Sequence, residues 1–324
     1  MFEVFVSNNS RLQCFPVAFF SSVMGLSMFA IALQQGEAIL GIPRGGGYIV
    51  AVASLGVFAM LTVVYVLKLL RFPAAVVQEW RHPVKMSFGA TFTVSLLLLG
   101  GATLGPWPEL SRVLWTAGAV LHLVVTLYVL NAWMHDPGFE VIHINPAWFI
   151  PVVGNIVAPI AGVVHAGSET GWFFFSIGLV FWIVLFAIVV YRMIFHHPLP
   201  ERLLPTLFIL LAPPAVGFIA YVTLHGGLNG FARVLYYTAV FLALLLMLQL
   251  PRFLRLKFFL SWWAYSFPLA ALTVATLFMF RATGGSVFKV GSYLLLALLC
   301  AVIAMLLVLT LRAFSRDEIC VPEE

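Results

Sequence analysis

The sequence predicts an all-α polytopic membrane protein with ten transmembrane helices. Of its 324 residues, 63% are hydrophobic and only 9% are charged, and the mean hydropathy is +1.07. Soluble domains carry about 25% charged residues, and a helix needs about 20 apolar residues to cross a bilayer. Ten stretches have about that length, at 15–34, 48–70, 86–104, 109–133, 147–165, 171–195, 203–225, 231–250, 258–280 and 290–311.

The positions of proline divide these stretches into two kinds. The interiors of the even-numbered stretches contain none, whereas several odd-numbered stretches are interrupted, at Pro151, Pro159, Pro205, Pro213, Pro214 and Pro268. Proline removes a helical donor and clashes with the carbonyl four residues back, and lipid offers that carbonyl no other partner. We therefore expect the odd-numbered helices to line a pathway and the even-numbered helices to face lipid.

The spacing of the odd-numbered stretches predicts a repeated unit. They begin near residues 15, 86, 147, 203 and 258, about 55 to 60 residues apart after a longer first unit. This spacing predicts five helical hairpins. Each hairpin pairs a kinked helix with a straight helix that carries bulky side chains. The simplest arrangement is an inner ring of five kinked helices around a central pore and an outer ring of five. The longest loops have about a dozen residues, so we expect residues 1–324 to form a single transmembrane channel domain.

The distribution of basic residues predicts the orientation. With ten spans both termini lie on one side, and 12 of the 17 Lys and Arg residues fall on that side. By the positive-inside rule both termini are then cytoplasmic. Every odd-numbered helix therefore runs from the inside to the outside.

Several classes of function are excluded by what the sequence lacks. The net charge is +5, but the basic residues sit singly at helix ends and form no patch for nucleic acid. Cys14, Cys300 and Cys320 are far apart, and the adjacent His196 and His197 have no further ligands at metal-site spacing. No catalytic motif is present. We expect no enzyme activity, no metal and no cofactor.

The polar residues of the odd-numbered helices favour an anion pathway. All 12 carboxylates fall in loops, termini or helix ends, and buried acids normally mark proton or cation relays. The odd-numbered helices instead offer hydroxyl, amide and small residues, which suit a partly dehydrated anion or simply let helices pack closely. The candidates for the pore lining are Ser22, Gly25, Phe88, Thr91, Gly154, Asn155, Pro214, Gly217, Ser266 and Pro268.

Charged and titratable residues leave two interpretations open. Lys85, Arg202 and Arg255 lie near the converging N-termini of the odd-numbered helices, where helix dipoles add positive potential. They either concentrate anions in a cytoplasmic vestibule or only orient the protein. His122 lies well inside the fourth, even-numbered stretch, where a packed, neutral histidine is favoured over a proton carrier.

The ninth stretch contains Trp262-Trp263-Ala264-Tyr265-Ser266-Phe267-Pro268, and here the chain resembles a known family. It is similar to the tellurite-resistance/dicarboxylate transporter family, which includes bacterial TehA and the slow-type anion channels of plant guard cells. Further similar segments are 19–26, His82 to Phe88, Pro146 to Pro159, and Leu211 to Pro214. The resemblance implies five hairpins around a pore, a homotrimer with one pore per protomer, a bacterial inner membrane setting, and a gating phenylalanine at Phe267.

Two functions fit this resemblance. The first is a gated channel that passes small monovalent anions such as chloride and nitrate. The second is a secondary transporter or exporter of oxyanions or C4-dicarboxylates, of the tellurite, sulfite or malate type. A dicarboxylate calls for an Arg or Lys at mid-membrane depth for bidentate recognition, and the stretches contain none there. That absence favours the channel.

Overall fold

The prediction of an all-α protein is confirmed. A computed structural model describes residues 11–320, and within that range the chain forms helices and no strands. The α-helices are α1 (Phe20–Leu40), α2 (Gly46–Arg71), α3 (Pro73–Arg81), α4 (Lys85–Thr103), α5 (Pro108–His135), α6 (Phe149–Val153), α7 (Pro159–Phe195), α8 (Ala212–His225), α9 (Gly230–Leu248), α10 (Leu250–Phe253), α11 (Ser266–Thr283) and α12 (Ser286–Ser315).

Short 3₁₀ segments extend or interrupt several of these helices. Val17–Phe19 precedes α1, Pro146–Trp148 and Gly154–Val157 flank α6, Glu201–Leu211 precedes α8, and Leu260–Tyr265 precedes α11. A separate 3₁₀ turn, Val141–His143, lies in the loop after α5. The fifth, seventh and ninth stretches, where proline interrupts the sequence, thus contain 3₁₀ geometry, in which each N–H bonds three rather than four residues back.

Nine helices in the described part of the chain are long and apolar enough to cross a membrane, with Pro146–Val157 as a shorter apolar helix. The count is nine because α7, Pro159–Phe195, joins two helical runs across a kink, one in the predicted fifth stretch and one in the sixth. Its backbone is not helical throughout, since Gly167 has φ 80° and ψ 173°. Glycine tolerates this conformation because it has no Cβ.

Burial separates the spans into two groups. In Val17–Leu40, Lys85–Thr103, Glu201–His225 and Leu260–Thr283, between 72 and 83% of the most apolar window is buried. In α2, α5, α7, α9 and α12 the buried share is only 17 to 33%. We call the first four, together with the buried segment Pro146–Val157, the core spans, and the other five the peripheral helices. The core spans are the stretches that the sequence analysis assigned to the pathway.

The core spans pack against one another in a closed cycle of contacts. α1 packs against α4 and α11, α4 packs against α6, the turn after α6 packs against α8, and α8 packs against α11. Each of α1, α4, α8 and α11 also packs against the peripheral helix that follows it in sequence. Glycines allow the closest of these approaches: a Cβ on Gly118 of α5 would lie 2.9 Å from the backbone nitrogen of Leu97 on α4.

Candidate functional site

A cavity of about 1060 Å³ lies between the core spans. It opens at the end of the bundle where these spans begin, since its rim includes the exposed residues His82, Arg202 and Lys257. The lining residues farthest along each core span are Met24, Val94, Val157, Val216 and Pro268. All but Val157, the last residue of its segment, lie well before the far end of their span, so the cavity penetrates only part of the way through the bundle.

The side chain of Phe267 lines this cavity. Its neighbours Ser266 and Pro268 are buried, whereas Phe267 is partly exposed and lines the cavity. The same combination of partial exposure and cavity contact occurs at Ser21, Phe88, Gly154 and Ala264. The exposed surface of these residues therefore faces the cavity rather than the outside of the bundle.

Phe267 is carried on a well-anchored backbone. It is the second residue of α11, directly after the 3₁₀ segment Leu260–Tyr265. The ring of Tyr265 packs on Phe208 with a centroid distance of 4.6 Å, and the Trp263 indole donates a hydrogen bond to the Thr310 hydroxyl at 3.0 Å. On the other side, a Cβ at Gly25 would lie 2.0 Å from Ser266 Oγ. The segment before Phe267 is thus held by aromatic packing, and Ser266 by close contact with α1.

The structure brings six of the predicted site residues to the cavity wall. Those residues are Phe88, Gly154, Phe267 and Pro268 from the core spans, and Lys85 and Arg202 at the mouth. They come from four separate core spans. The cavity also has further basic groups, Lys68 and Lys257, at its mouth.

The remaining predicted residues do not line this cavity. They are Ser22, Gly25, Thr91, Asn155, Pro214, Gly217, Ser266 and Arg255. Most of the hydroxyl groups among them bond to carbonyls of their own helices: Ser22 to Phe19 at 2.7 Å, Thr91 to Phe88 at 2.6 Å and Ser266 to Trp263 at 2.6 Å. Arg255 lies on the exposed surface near α10. At these positions, small and polar residues either donate hydrogen bonds to backbone carbonyls or allow neighbouring helices to pack closely.

A buried ion pair at the mouth was missed by the sequence analysis. Lys68 Nζ lies 2.8 Å from Glu79 Oε2, and the two side chains are only 4% and 7% exposed. Lys68 also donates to the Phe15 carbonyl at 2.7 Å, and Glu79 accepts from the backbone N–H of Val17 at 2.8 Å. The pair ties α2 and α3 to the start of the first core span. No sequence spacing signals it, because the two partners approach only through the turn between α2 and α3.

A polar cluster lies behind the cavity wall at mid-span. His122 on α5 is fully buried, and its Nδ1 lies 2.7 Å from the Thr93 hydroxyl on α4. Asn155 donates to the Thr126 hydroxyl at 2.8 Å, and Thr126 in turn donates to the carbonyl of Pro151 at 2.7 Å. The sequence analysis anticipated a buried, hydrogen-bonded histidine, but only the fold identifies these partners.

Comparison with known proteins gives the context for this geometry. Residues 14–311 match the model of a family described as voltage-dependent anion channel. A protein of Methanocaldococcus jannaschii described as an uncharacterized transporter is 26% identical over 309 residues, which cover 88% of this chain and 90% of that protein. The S-type anion channel SLAH3 of Arabidopsis thaliana is 27% identical over 319 residues, covering 95% of this chain and 50% of the plant protein.

A further relative comes from bacteria. The tellurite resistance protein TehA homolog of Haemophilus influenzae is 26% identical over 274 residues, which cover 83% of each chain. The family match spans nearly all of the core spans and peripheral helices. The resemblance seen around Phe267 therefore holds for most of the chain, and the protein belongs to the voltage-dependent anion channel family, with plant S-type channels and the TehA homolog among its relatives.

Proposed function

We propose that this protein is a gated channel for small monovalent anions, with chloride and nitrate as the expected permeant ions. The observation that carries the proposal is a cavity between the core spans with a basic mouth and with Phe267 in its wall. Lys68, Lys85, Arg202 and Lys257 line it, against the carboxylates Glu79 and Glu318. Anions are therefore attracted into a passage whose walls farther in are mostly apolar.

In this proposal the core spans form an inner ring of five and the peripheral helices an outer ring. The break at Gly167 divides α7 into the end of a fifth span and a complete sixth, which gives ten crossings. The cycle of contacts from α1 through α4, α6, α8 and α11 back to α1 supports a ring around one axis. The residues 1–324 then constitute one channel domain. By family resemblance we infer a homotrimer with one pathway per protomer, to be checked by native mass spectrometry.

Phe267 is the proposed gate. Its side chain lines the cavity, next to Pro268, and an apolar constriction blocks a hydrated ion by dewetting. Replacing Phe267 with alanine removes the ring from the passage. We expect Phe267→Ala to raise anion conductance severalfold in planar bilayers, with currents that reverse at the Nernst potential of the anion during ion replacement.

The matched control is a phenylalanine that faces outward. Phe241 on α9 is 63% exposed, so Phe241→Ala removes the same ring from the lipid-facing surface and leaves conductance at the parent level. Normal folding of each variant is checked by size-exclusion chromatography. A folded Phe267→Ala protein as silent as the parent would place the gate elsewhere.

The second candidate function is a secondary transporter or exporter of oxyanions or dicarboxylates. It is favoured by the relatives whose names refer to transport or to tellurite resistance. Liposome flux separates the two: a channel passes anions down their own gradient, whereas a coupled transporter requires a second ion gradient. Flux that stops without a proton gradient would favour the transporter.

We further propose a bacterial plasma membrane location with both ends of the chain in the cytoplasm, so that the cavity opens inward. Ala282, at the end of α11 opposite the mouth, is exposed, and Ala282→Cys should react with an impermeant maleimide from outside cells. Cys320 gives little background, because burial raises the pKa of its thiol and thiolate is the reactive form. Cys14→Ser removes the other native thiol near the mouth. Labelling from the cytoplasmic side alone would reverse the orientation.

A further inference from the structure

We propose that His122 donates a hydrogen bond to the permeating anion, through the seam between Gly154 and Val94 in the cavity wall. The inference rests on the proposed anion pathway and adds a specific contact inside it. Neither the distribution of charge nor the family match assigns this residue a role. It requires that the seam widen slightly when an ion occupies the cavity.

The imidazole has one satisfied and one unsatisfied nitrogen. Nδ1 lies 2.7 Å from Thr93 Oγ1, whereas Nε2 is buried with no hydrogen-bond partner among the described residues. The whole residue is 0% exposed. Buried polar atoms are rarely left without a partner, because the lost hydration is not replaced. The unsatisfied Nε2 is therefore available to a ligand on the cavity side.

The edge of the ring that carries Nε2 lies directly behind the cavity. A Cβ on Gly154 would stand 2.9 Å from both Nε2 and Cε1 of His122, and 3.0 Å from a methyl carbon of Val94. Gly154 and Val94 both line the cavity. Only glycine at position 154 leaves room for the ring so near the wall, since any side chain would displace it.

The polar cluster around His122 holds the ring in place and offers a second free atom. Asn155 Nδ2 donates to the Thr126 hydroxyl at 2.8 Å and to the Val152 carbonyl at 2.7 Å, while its Oδ1 has no partner in residues 11–320. An anion in the cavity accepts from Nε2–H.

A neutral imidazole suffices for this contact. The Thr93 hydroxyl carries one proton and has two partners, the Ala90 carbonyl at 3.0 Å and His122 Nδ1 at 2.7 Å. Donation to the nearer partner, Nδ1, leaves the ring proton on Nε2, and the contact with an anion requires this tautomer, in which the imidazole presents a donor without a fixed charge. Such a donor stabilises chloride more than nitrate, because chloride concentrates its charge on one small atom. The contact thus offsets part of the dehydration cost that otherwise favours weakly hydrated anions.

The test uses Phe267→Ala as the parent, so that the pathway is open, and compares three additional changes. His122→Leu removes the donor, Gly154→Ala places a methyl group against the ring, and His122→Gln keeps an N–H donor. We expect the first two to raise the nitrate-to-chloride permeability ratio about threefold or more, mainly through lost chloride current, and the glutamine variant to stay near the parent. Gly101→Ala is the matched control, since its Cβ would meet the flexible end of Ile31 at 3.1 Å and a methyl carbon of Ile160 at 3.7 Å, and no part of His122.

Each outcome has a distinct meaning. An unchanged permeability ratio in folded His122→Leu channels that carry anion currents overturns the role of His122 and leaves the proposed function intact. Equal loss in the glutamine and leucine variants assigns His122 to packing alone. Flux that requires a proton gradient in the parent, and is lost in both variants, identifies a proton carrier instead. No anion current in any folded variant overturns the channel proposal and this inference together.

Discussion

Gly25 is a residue whose predicted role differs from its position in the structure. In the sequence it is a small residue in a core span and a candidate for the pore lining. In the structure it faces Ser266, and a Cβ would lie 2.0 Å from Ser266 Oγ and 2.7 Å from its Cβ. Gly25 therefore allows α1 and α11 to touch immediately beside Phe267. Its contribution is to the placement of the ring rather than to the wall.

We expect Gly25→Ala to lower thermal stability and to alter gating together. Inserting a methyl group into this contact costs about 1–3 kcal/mol, and relief of the clash requires Ser266, and with it Phe267, to move. The measurements are the melting temperature in detergent and single-channel conductance in bilayers. Gly56→Ala is the control, because that glycine in α2 has nothing within 4 Å of its Cβ position, and alanine should stabilise the helix by about 1 kcal/mol. Equal stability of the two variants would contradict the packing role.

The Lys68–Glu79 pair shows a second residue-scale effect. Removing one partner of a buried ion pair leaves the other charge without compensation, which is far more costly than losing a surface pair. Here the carboxylate of Glu79 also accepts the Val17 N–H and the Tyr65 hydroxyl, at 2.8 and 3.1 Å. The pair thus supports the fold of the mouth, and because its two charges cancel it adds no net charge there.

At the scale of elements, 3₁₀ segments occur in four of the five core spans and in none of the peripheral helices. They occur in Val17–Leu40, Pro146–Val157, Glu201–His225 and Leu260–Thr283, while α4 is a continuous α-helix. Proline accounts for this in part, since Pro205 lies within the 3₁₀ segment Glu201–Leu211. Carbonyls freed by such geometry need new partners, and the bond from Thr126 to the Pro151 carbonyl is one such case. Irregular backbone is therefore stabilised by a neighbouring helix.

The beginnings of the core spans carry a prediction about the mouth. Lys85 begins α4 and Arg202 lies in the 3₁₀ segment before α8, so both add charge to the positive ends of helix dipoles. We expect Lys85→Gln and Arg202→Gln to reduce conductance in about 0.01 M salt and to leave it nearly unchanged at about 1 M, where the Debye length falls from about 30 to about 3 Å. Conductance at low salt is the measurement.

Lys289→Gln is the control for this experiment, because Lys289 is exposed on the first turn of α12 at the far end of the bundle. Its removal should not reproduce the effect seen from the cavity side. If conductance at low salt stays at the parent level for Lys85→Gln and Arg202→Gln, the two residues serve only to orient the protein in the membrane.

At the scale of the whole molecule, the pathway depends on many weak features rather than one strong site. Among residues 11–320 no group of three His, Cys, Asp or Glu residues is placed to hold a metal ion. The charged cavity residues lie at the mouth, and the deeper wall is formed by groups such as Met24, Val157 and Val216. An anion that passes this region must shed part of its hydration without a fixed cation to replace it.

Anion selectivity should therefore follow dehydration cost. We expect iodide and nitrate to permeate better than chloride, and fluoride and sulfate least, in bi-ionic reversal-potential measurements on the Phe267→Ala channel. The donor at His122 reduces this preference without reversing it. A channel that selects fluoride or a divalent anion would require a fixed charge that the inner part of the cavity does not display.

The sequence by itself determined the helical class, the approximate ends of most spans and which spans are buried. Hydropathy measures how favourable the transfer of each segment into lipid is, and proline restricts the backbone around it. Both are properties of short stretches of chain. The fifth and sixth predicted stretches meet in α7, where the backbone at Gly167 is not helical.

Only the tertiary structure decided which side chains meet. Gly25 with Ser266, Lys68 with Glu79, and Thr93 with His122 are partners on different helices. Their contacts depend on the rotation of each helix about its axis, which in a nearly uniform apolar sequence leaves little periodic signal. The same rotation turned Phe88, Gly154 and Phe267 toward the cavity and left Thr91, Asn155 and Ser266 in the packing between helices.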